Sequence, residues 1–287
     1  MIKEFGWAPE HNYHWYQYYQ HYYNPPQKNI YAHNGRGGLF AAYDEEEDAY
    51  YVNFDPMAPP EDRIPLLLEY ITHIFTGTSA KKIWFQLMMD DRRKLSRALP
   101  PAYACKPIYF TIVWPVYDLA LFDPALPGGH YKAMRKEMHK FYREHAVEVA
   151  DAKTFPDRAA LHALVENWKK GRFHHDKAMI GVYHAMIDAN FLGTDEARIF
   201  VVDGKAVGFN AGWMIPNSDR FYGAIGIHDY SIDDLGTMLY LEDMVWLKKR
   251  GYREVDMGGS ETSALPFKKK FCPQSFYKSA IFSVVKK

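Results

Sequence analysis

Val255-Asp256-Met257-Gly258-Gly259-Ser260-Glu261 is the stretch on which the reading of this chain turns, with Phe267-Lys268-Lys269-Lys270-Phe271 close behind it. It reads as the end of a short buried strand, a tight glycine turn and the opening of a helix. In this reading Ser260 or Thr262 caps the helix, and Glu261 lies in its first turn, where the dipole favours an acid. Two glycines let the backbone approach a ligand closely, and the free N–H groups of a helix start hold anions. The lysines add positive charge one or two turns later. A carboxylate, backbone donors and a cationic cluster can together bind an acyl or phosphate group and move protons. The same residues also make an ordinary strand–turn–helix with a solvated lysine run, and taken alone the stretch favours that plainer reading.

Working outward, 235–250 has helical periodicity and ends at Gly251, a residue suited to the C′ position. Ahead of it lie a hairpin around Asp203-Gly204, a strand over 220–227, helices over 156–170 and 177–192, and a strand over 147–150. A last strand spans 276–285. The first part of the chain shows a similar order. A hairpin surrounds the acidic turn 44–48, a helix covers 64–75, a strand 82–87, a polar helix 90–99 and an apolar strand 108–116. The order hairpin, helix, strand, helix, strand occurs twice, which predicts two related α/β halves, although the residues themselves do not repeat.

Composition sets the outer limits. The 287 residues suffice for one large or two ordinary domains, 48% are apolar and 24% charged, and the formal net charge is zero. No global field draws the chain to nucleic acid or an anionic membrane, so any polyanion site is a local patch. Two distant cysteines, Cys105 and Cys272, have no metal-type spacing and suit a reduced compartment. The first residues lack the apolar core of a signal peptide, and the longest apolar run, over 107–122, is too short to span a bilayer. These features predict a cytoplasmic protein. Many of the 22 tyrosines crowd the start, with His11, His14 and His21 among them. Without accompanying Lys or Arg they read as a short helix packed by its rings and ended at Asn24-Pro25-Pro26, and not as a nucleic-acid or metal site.

The second informative stretch begins at Gly128-Gly129. In the helix that follows, Lys132, Arg135, Lys136, His139, Lys140 and Arg143 share one face, and Tyr131, Met134, Met138, Phe141 and Tyr142 the other. The aromatic face packs inward and the cationic face suits phosphates of a tRNA, a nucleotide or a lipid head group. A solvated basic face is the competing reading.

The element order from Val147 onward resembles the GNAT (N-acetyltransferase) fold. Tyr131-Lys132-x-x-Arg135, the stretch from Gly251-Tyr252 through Glu261, and Phe267 to Phe271 are most similar to its FemAB-type branch and to the soluble catalytic part of phosphatidylglycerol lysyltransferases. The resemblance implies an α/β (α+β) fold of tandem GNAT-like modules, each a mixed twisted sheet flanked by helices. Residues 1–127 would be an N-terminal GNAT-like half with a tyrosine-rich helical start, and 128–287 the C-terminal domain led by the basic helix. It also implies transfer of an aminoacyl group from a charged tRNA to an amine or hydroxyl of a small amine, a peptide or a lipid head group, with no resident cofactor or metal. Ordinary GNAT enzymes use acyl coenzyme A as co-substrate, held by a Gln/Arg-x-x-Gly-x-Gly/Ala turn. Here that position reads His228-Asp229-Tyr230-Ser231-Ile232-Asp233-Asp234-Leu235-Gly236-Thr237, whose acids repel a pyrophosphate. An acyl-coenzyme-A acetyltransferase, or a non-catalytic anion- or RNA-binding protein with this fold, is the alternative.

Attack on an ester or thioester needs a base, an acid for the leaving group and donors for the oxyanion. The candidate bases are Asp256 and Glu261, with Asp229 behind them, and Tyr222 or Tyr230 is the candidate acid. Gly258 and Gly259 would hold the oxyanion. Lys132, Arg135, Lys136, Lys268 and Lys269 would hold donor phosphates. His174-His175-Asp176 reads as a helix cap beside exposed histidines, because neighbours on an extended strand point apart.

Overall fold

A computed structural model of the chain describes residues 1–22, 26–172, 180–260 and 264–287. Expectations for Asn24-Pro25, His174-His175-Asp176, the 177–179 start of a helix, Glu261 and Thr262 fall outside these residues. Along the chain run α1 (Ile2–Phe5), α2 (Tyr13–Tyr19), β1 (Lys28–His33), β2 (Gly38–Asp44), β3 (Ala49–Val52), α3 (Arg63–Gly77), β4 (Lys82–Met88), α4 (Met89–Ala98), β5 (Tyr103–Cys105) and β6 (Phe110–Asp118). They are followed by α5 (Lys132–Glu144), β7 (Val147–Asp151), α6 (Arg158–Lys170), α7 (Ile180–Asp188), β8 (Glu196–Val202), β9 (Lys205–Met214), β10 (Arg220–His228), α8 (Leu235–Lys249), β11 (Glu254–Asp256), α9 (Leu265–Lys269) and β12 (Ser275–Lys286).

Local chemistry explains most of these boundaries. The Asn12 side chain caps α2 by accepting from the His14 and Trp15 amides, and Asp157 caps α6 through Ala160 N–H. Asp44 closes the β2–β3 hairpin by accepting from the amides of Glu46 and Glu47 at 3.0 Å each. Gly251, at φ +86°, ends α8 as its sequence position predicts.

The residues form two compact units. One comprises 1–115, 215–218 and 259–287, the other 116–214 and 219–258. In the first unit β1, β2, β3, β4 and β12 are successive neighbours, and β5 pairs with β12. Its core is a layer of Leu39, Val52, Leu67, Ile71, Phe75, Ile83, Phe85 and Phe282 between α3 and the sheet strands. In the second unit the order is the end of β6 (116–118), β11, β10, β9, β8, β7. Buried Leu161, Val165, Phe191, Ile199, Phe209, Leu239 and Met244 form its interior.

Each unit contains a parallel strand pair joined by a 15-residue crossover helix, β3–α3–β4 in the first and β10–α8–β11 in the second. In each, the second parallel strand is flanked by an antiparallel strand drawn from elsewhere in the chain, β12 beside β4 and the end of β6 beside β11. Compactness therefore interleaves the chain, whereas the division at 127/128 follows chain order.

Candidate active site

In the second unit the parallel pair is short. Arg220, Phe221 and Tyr222 stand in register with Glu254, Val255 and Asp256, and there β11 ends. The β10 strand runs on to His228 past an irregularity between Gly223 and Ile225. Just past the last pair Gly223 lies close against the chain leaving β11, where a Cβ would come within 2.9 Å of the Met257 sulfur.

Asp256 stands at the parting and is fully buried. Its Oδ1 accepts the Gly258 N–H at 2.9 Å, and Gly258 has φ +81°. The carboxylate thus builds the turn expected from the sequence. It also engages the Gly258 amide that the sequence reading assigned to an oxyanion. On its other side β11 is in register with β6, Asp256 opposite Val116 and Val255 opposite Tyr117.

Tyr240 belongs to this site although no motif in the sequence singles it out. This α8 residue donates its hydroxyl to the Met257 carbonyl at 3.1 Å. Burial, then the neighbouring Tyr117 and Asp256, push its hydroxyl well above the ordinary tyrosine range, so it stays protonated. Its signal was present in 235–250, but among the 22 tyrosines only the packing of α8 distinguishes it. An ion pair from Arg198 to Asp243, one turn beyond Tyr240, anchors α8 to the sheet, and Asp243 also accepts from Asn210 Nδ2 at 2.6 Å.

Tyr222 is buried next to Asp256 in register and meets Trp213 edge to face at 5.2 Å. Asp229 lies seven residues further along, on the order of 20 Å away by strand rise, so it does not join Asp256. Its Oδ1 accepts from Ser231 N–H at 2.8 Å. His228 packs against Gly236 at the start of α8, and burial, then Arg172, lower its pKa to about 4. It is therefore neutral at pH 7. Asp234 occupies the N-cap of α8 at φ +62° without a side-chain cap hydrogen bond. A neutral histidine and three acids leave this loop poorly suited to a pyrophosphate. Tyr230 is exposed and packs on Gly171 and His228.

The basic helix forms as α5, with Met134 and Phe141 buried. Tyr142 departs from the expected inward face. It is 41% exposed and donates its hydroxyl to Glu242 of α8. The cationic strip is not uniform either. Arg135 donates to the Leu126 and Gly128 carbonyls, clamping the Gly-Gly loop, and Glu144 partners Lys140 and Arg143. Lys132 and Lys136 are exposed.

The first unit holds the rest of the decisive stretch. Ser260 pairs with Val113 in an antiparallel bridge, its N–H donating at 2.8 Å and its carbonyl accepting at 3.0 Å. Its buried hydroxyl has no hydrogen-bond partner, so it makes no cap hydrogen bond. The described helix α9 has five residues, Leu265–Lys269, and the helix start expected at Glu261 and Thr262 lies outside the described residues. Lys268 Nζ donates to the Gly259 carbonyl at 3.4 Å, and Lys270 lies over the Phe267 ring at 4.4 Å. Lys269 lies 6.0 Å from the Phe276 ring centroid. Among the described residues no group of three or more His, Cys, Asp or Glu is arranged to hold a metal ion, and no helix is long and apolar enough to cross a membrane.

Solved structures share this fold. The chain is similar to L-PGS from Bacillus licheniformis, 14% identical, covering 91% of this chain and 84% of that one with a TM-score of 0.65. FemX is 12% identical over 98% and 93% of the two chains, with a TM-score of 0.64. A tandem GNAT protein from the clavulanic acid biosynthesis pathway is 12% identical over 87% and 78%, with a TM-score of 0.57. The fold is thus the mixed α/β, tandem GNAT-like arrangement that the sequence predicts. No curated protein matches the sequence. The family model described as phosphatidylglycerol lysyltransferase, C-terminal, matches residues 17–278, and the chain belongs to that family.

Proposed function

We propose that this protein transfers an aminoacyl group from the ester of an aminoacyl-tRNA to an amine or hydroxyl acceptor, a small amine, a peptide or a lipid head group. Family membership supports acyl or aminoacyl transfer. The observation that carries the reading is the parting of β10 from β11 at Tyr222 and Asp256, beside the protonated Tyr240. In the reaction the acceptor attacks the ester carbonyl, its proton passes to a base, the acyl C–O bond breaks, and the departing ribose oxygen takes up a proton. Asp256 acts in this proposal by fixing the turn that presents the Met257 carbonyl to Tyr240, and the stretch of β10 past Tyr222 holds the acyl chain. Lys132 and Lys136 draw the tRNA backbone, and the acid-rich start of α8 disfavours acyl coenzyme A.

The test is a turnover and binding screen of the purified protein against charged tRNAs and a panel of acyl coenzyme A thioesters. Aminoacyl transfer that falls at least tenfold in Y240F, with tRNA affinity unchanged, supports the proposal. K132A/K136A should weaken tRNA binding. Thioester consumption without tRNA binding would replace it with acyl-coenzyme-A transfer. RNA binding with no turnover of either donor would leave a binding protein.

A further inference from the structure

Away from this site, two helices of the second unit carry the same five-residue pattern. In α6 it reads His162-Ala163-Leu164-Val165-Glu166, and in α7 His184-Ala185-Met186-Ile187-Asp188. Each pattern places a histidine one turn before a carboxylate on the same helix face. The pairing between helices is crossed. His162 Nε2 meets Asp188 Oδ1 at 3.0 Å, and His184 Nε2 meets Glu166 Oε1 at 3.0 Å. The remaining ring nitrogens, both Nδ1, face one another at 2.7 Å, with the rings stacked at 4.9 Å.

The hydrogen bonds fix the tautomers. A carboxylate accepts only, so both Nε2 atoms carry protons and each neutral ring presents its Nδ1 lone pair inward. Two lone pairs at 2.7 Å repel unless something positive lies between them. One shared proton satisfies the pair, and so does a cation. Metal-bound histidines commonly donate their other N–H to a carboxylate, and here both do. The two carboxylates also balance the charge of a divalent ion, where a single proton leaves one negative charge over.

We propose that His162 and His184 form a two-imidazole site for a borderline divalent cation such as Zn²⁺, bound through both Nδ1 atoms, with Asp188 and Glu166 orienting the rings. Tetrahedral zinc with nitrogen ligands needs the two nitrogens about 3.3 Å apart, so the helices or rings open by roughly 0.6 Å to admit it. The side chains of His162 and His184 are 32% and 25% exposed, which gives the ion a route in and leaves further coordination positions for water. Imidazole selects Zn²⁺, Cu²⁺ or Ni²⁺ over the oxygen-seeking Mg²⁺ and Ca²⁺.

Isothermal titration of chelator-stripped full-length protein with Zn²⁺ tests the site, with Mg²⁺ as control and circular dichroism to establish that each variant is folded. The expected result is one Zn²⁺ per chain and no Mg²⁺ response. Affinity should fall at least tenfold in H162Q and in H184Q, and about tenfold in D188N, where only the ring-orienting carboxylate is lost. Zn²⁺ affinity unchanged in the folded H162Q/H184Q double variant would overturn the proposal by placing the ion on other histidines. No Zn²⁺ uptake by the folded wild type would overturn it by leaving the pair to a shared proton.

Discussion

Asp256 shows how one carboxylate can decide a turn. Its Oδ1 accepts the buried Gly258 amide, and Gly258 sits at a positive φ that favours glycine. Removing the acceptor takes this buried hydrogen bond from the turn, so D256A should lose about 1–3 kcal/mol in urea denaturation. D256N keeps an acceptor oxygen and should lose less than half as much, and equal losses in the two variants would rule out this hydrogen bond as the cause. Asp55 is a second buried carboxylate. Asp55 accepts from Met88 N–H at 3.0 Å, and burial raises its pKa to about 7. Nearby His11 accepts the Trp7 and Ala8 amides on Nδ1 and donates from Nε2 to the Asp55 carbonyl, and burial lowers its pKa to about 4. Asp55 thus contributes stability that is present below its unfolded pKa and lost as pH rises through 7. The contribution of His11 is present above pH 6.5 and lost as pH falls through 4. In D55N the first effect is gone, so stability relative to wild type should rise by on the order of 2 kcal/mol from pH 5 to pH 8. A pH-independent difference would show that Asp55 is ionised throughout that range.

At the scale of elements, α5 divides its cations between two tasks. Arg135 spends its guanidinium on the Leu126 and Gly128 carbonyls, while Lys132 and Lys136 stay exposed. R135A should therefore lower stability by about 1–2 kcal/mol and reduce tRNA affinity only as far as the loop loosens. K132A/K136A should leave the melting temperature nearly unchanged and flatten the salt dependence of tRNA binding by about two phosphate contacts. The reverse pattern in melting and filter-binding measurements would exchange the two assignments. The basic helix was legible because its period and charge agree. The separate task of Arg135 was not, because it depends on where the loop carbonyls fold back. The same limit hid Tyr240. In the sequence Ser260 is a good helix cap, and only the structure shows its backbone paired with Val113 while its buried hydroxyl makes no hydrogen bond. The short strands β1 and β5 also escaped the reading, the first because its alternation is interrupted by Lys28 and Asn29, the second because three residues carry no period.

At the scale of the whole chain, the class of fold could be read from alternating strands and helices, but the exchange of strands could not. Hydrophobic period says that β12 is buried, not which strand it joins. In the folded chain β12 runs antiparallel to β4 along seven residue pairs, from Ser279 opposite Met88 to Val285 opposite Lys82, and carries Phe282 and Val284 into the core of the first unit. A fragment of residues 1–127 would expose β4 as an edge with Ile83, Phe85 and Leu87 uncovered, a strong template for aggregation. The fragment 128–287 would lack the end of β6 that flanks β11 at Val116, Tyr117 and Asp118. Expressed singly, each fragment should be insoluble or should lack a cooperative thermal transition, although each has the length of an ordinary domain. Co-expressed, the two should recover a soluble complex, because every strand then has its partner available. A cooperative, soluble 1–127 fragment would show that β12 is dispensable to the first unit, and the strand exchange would then be no more than a surface addition to an independent domain.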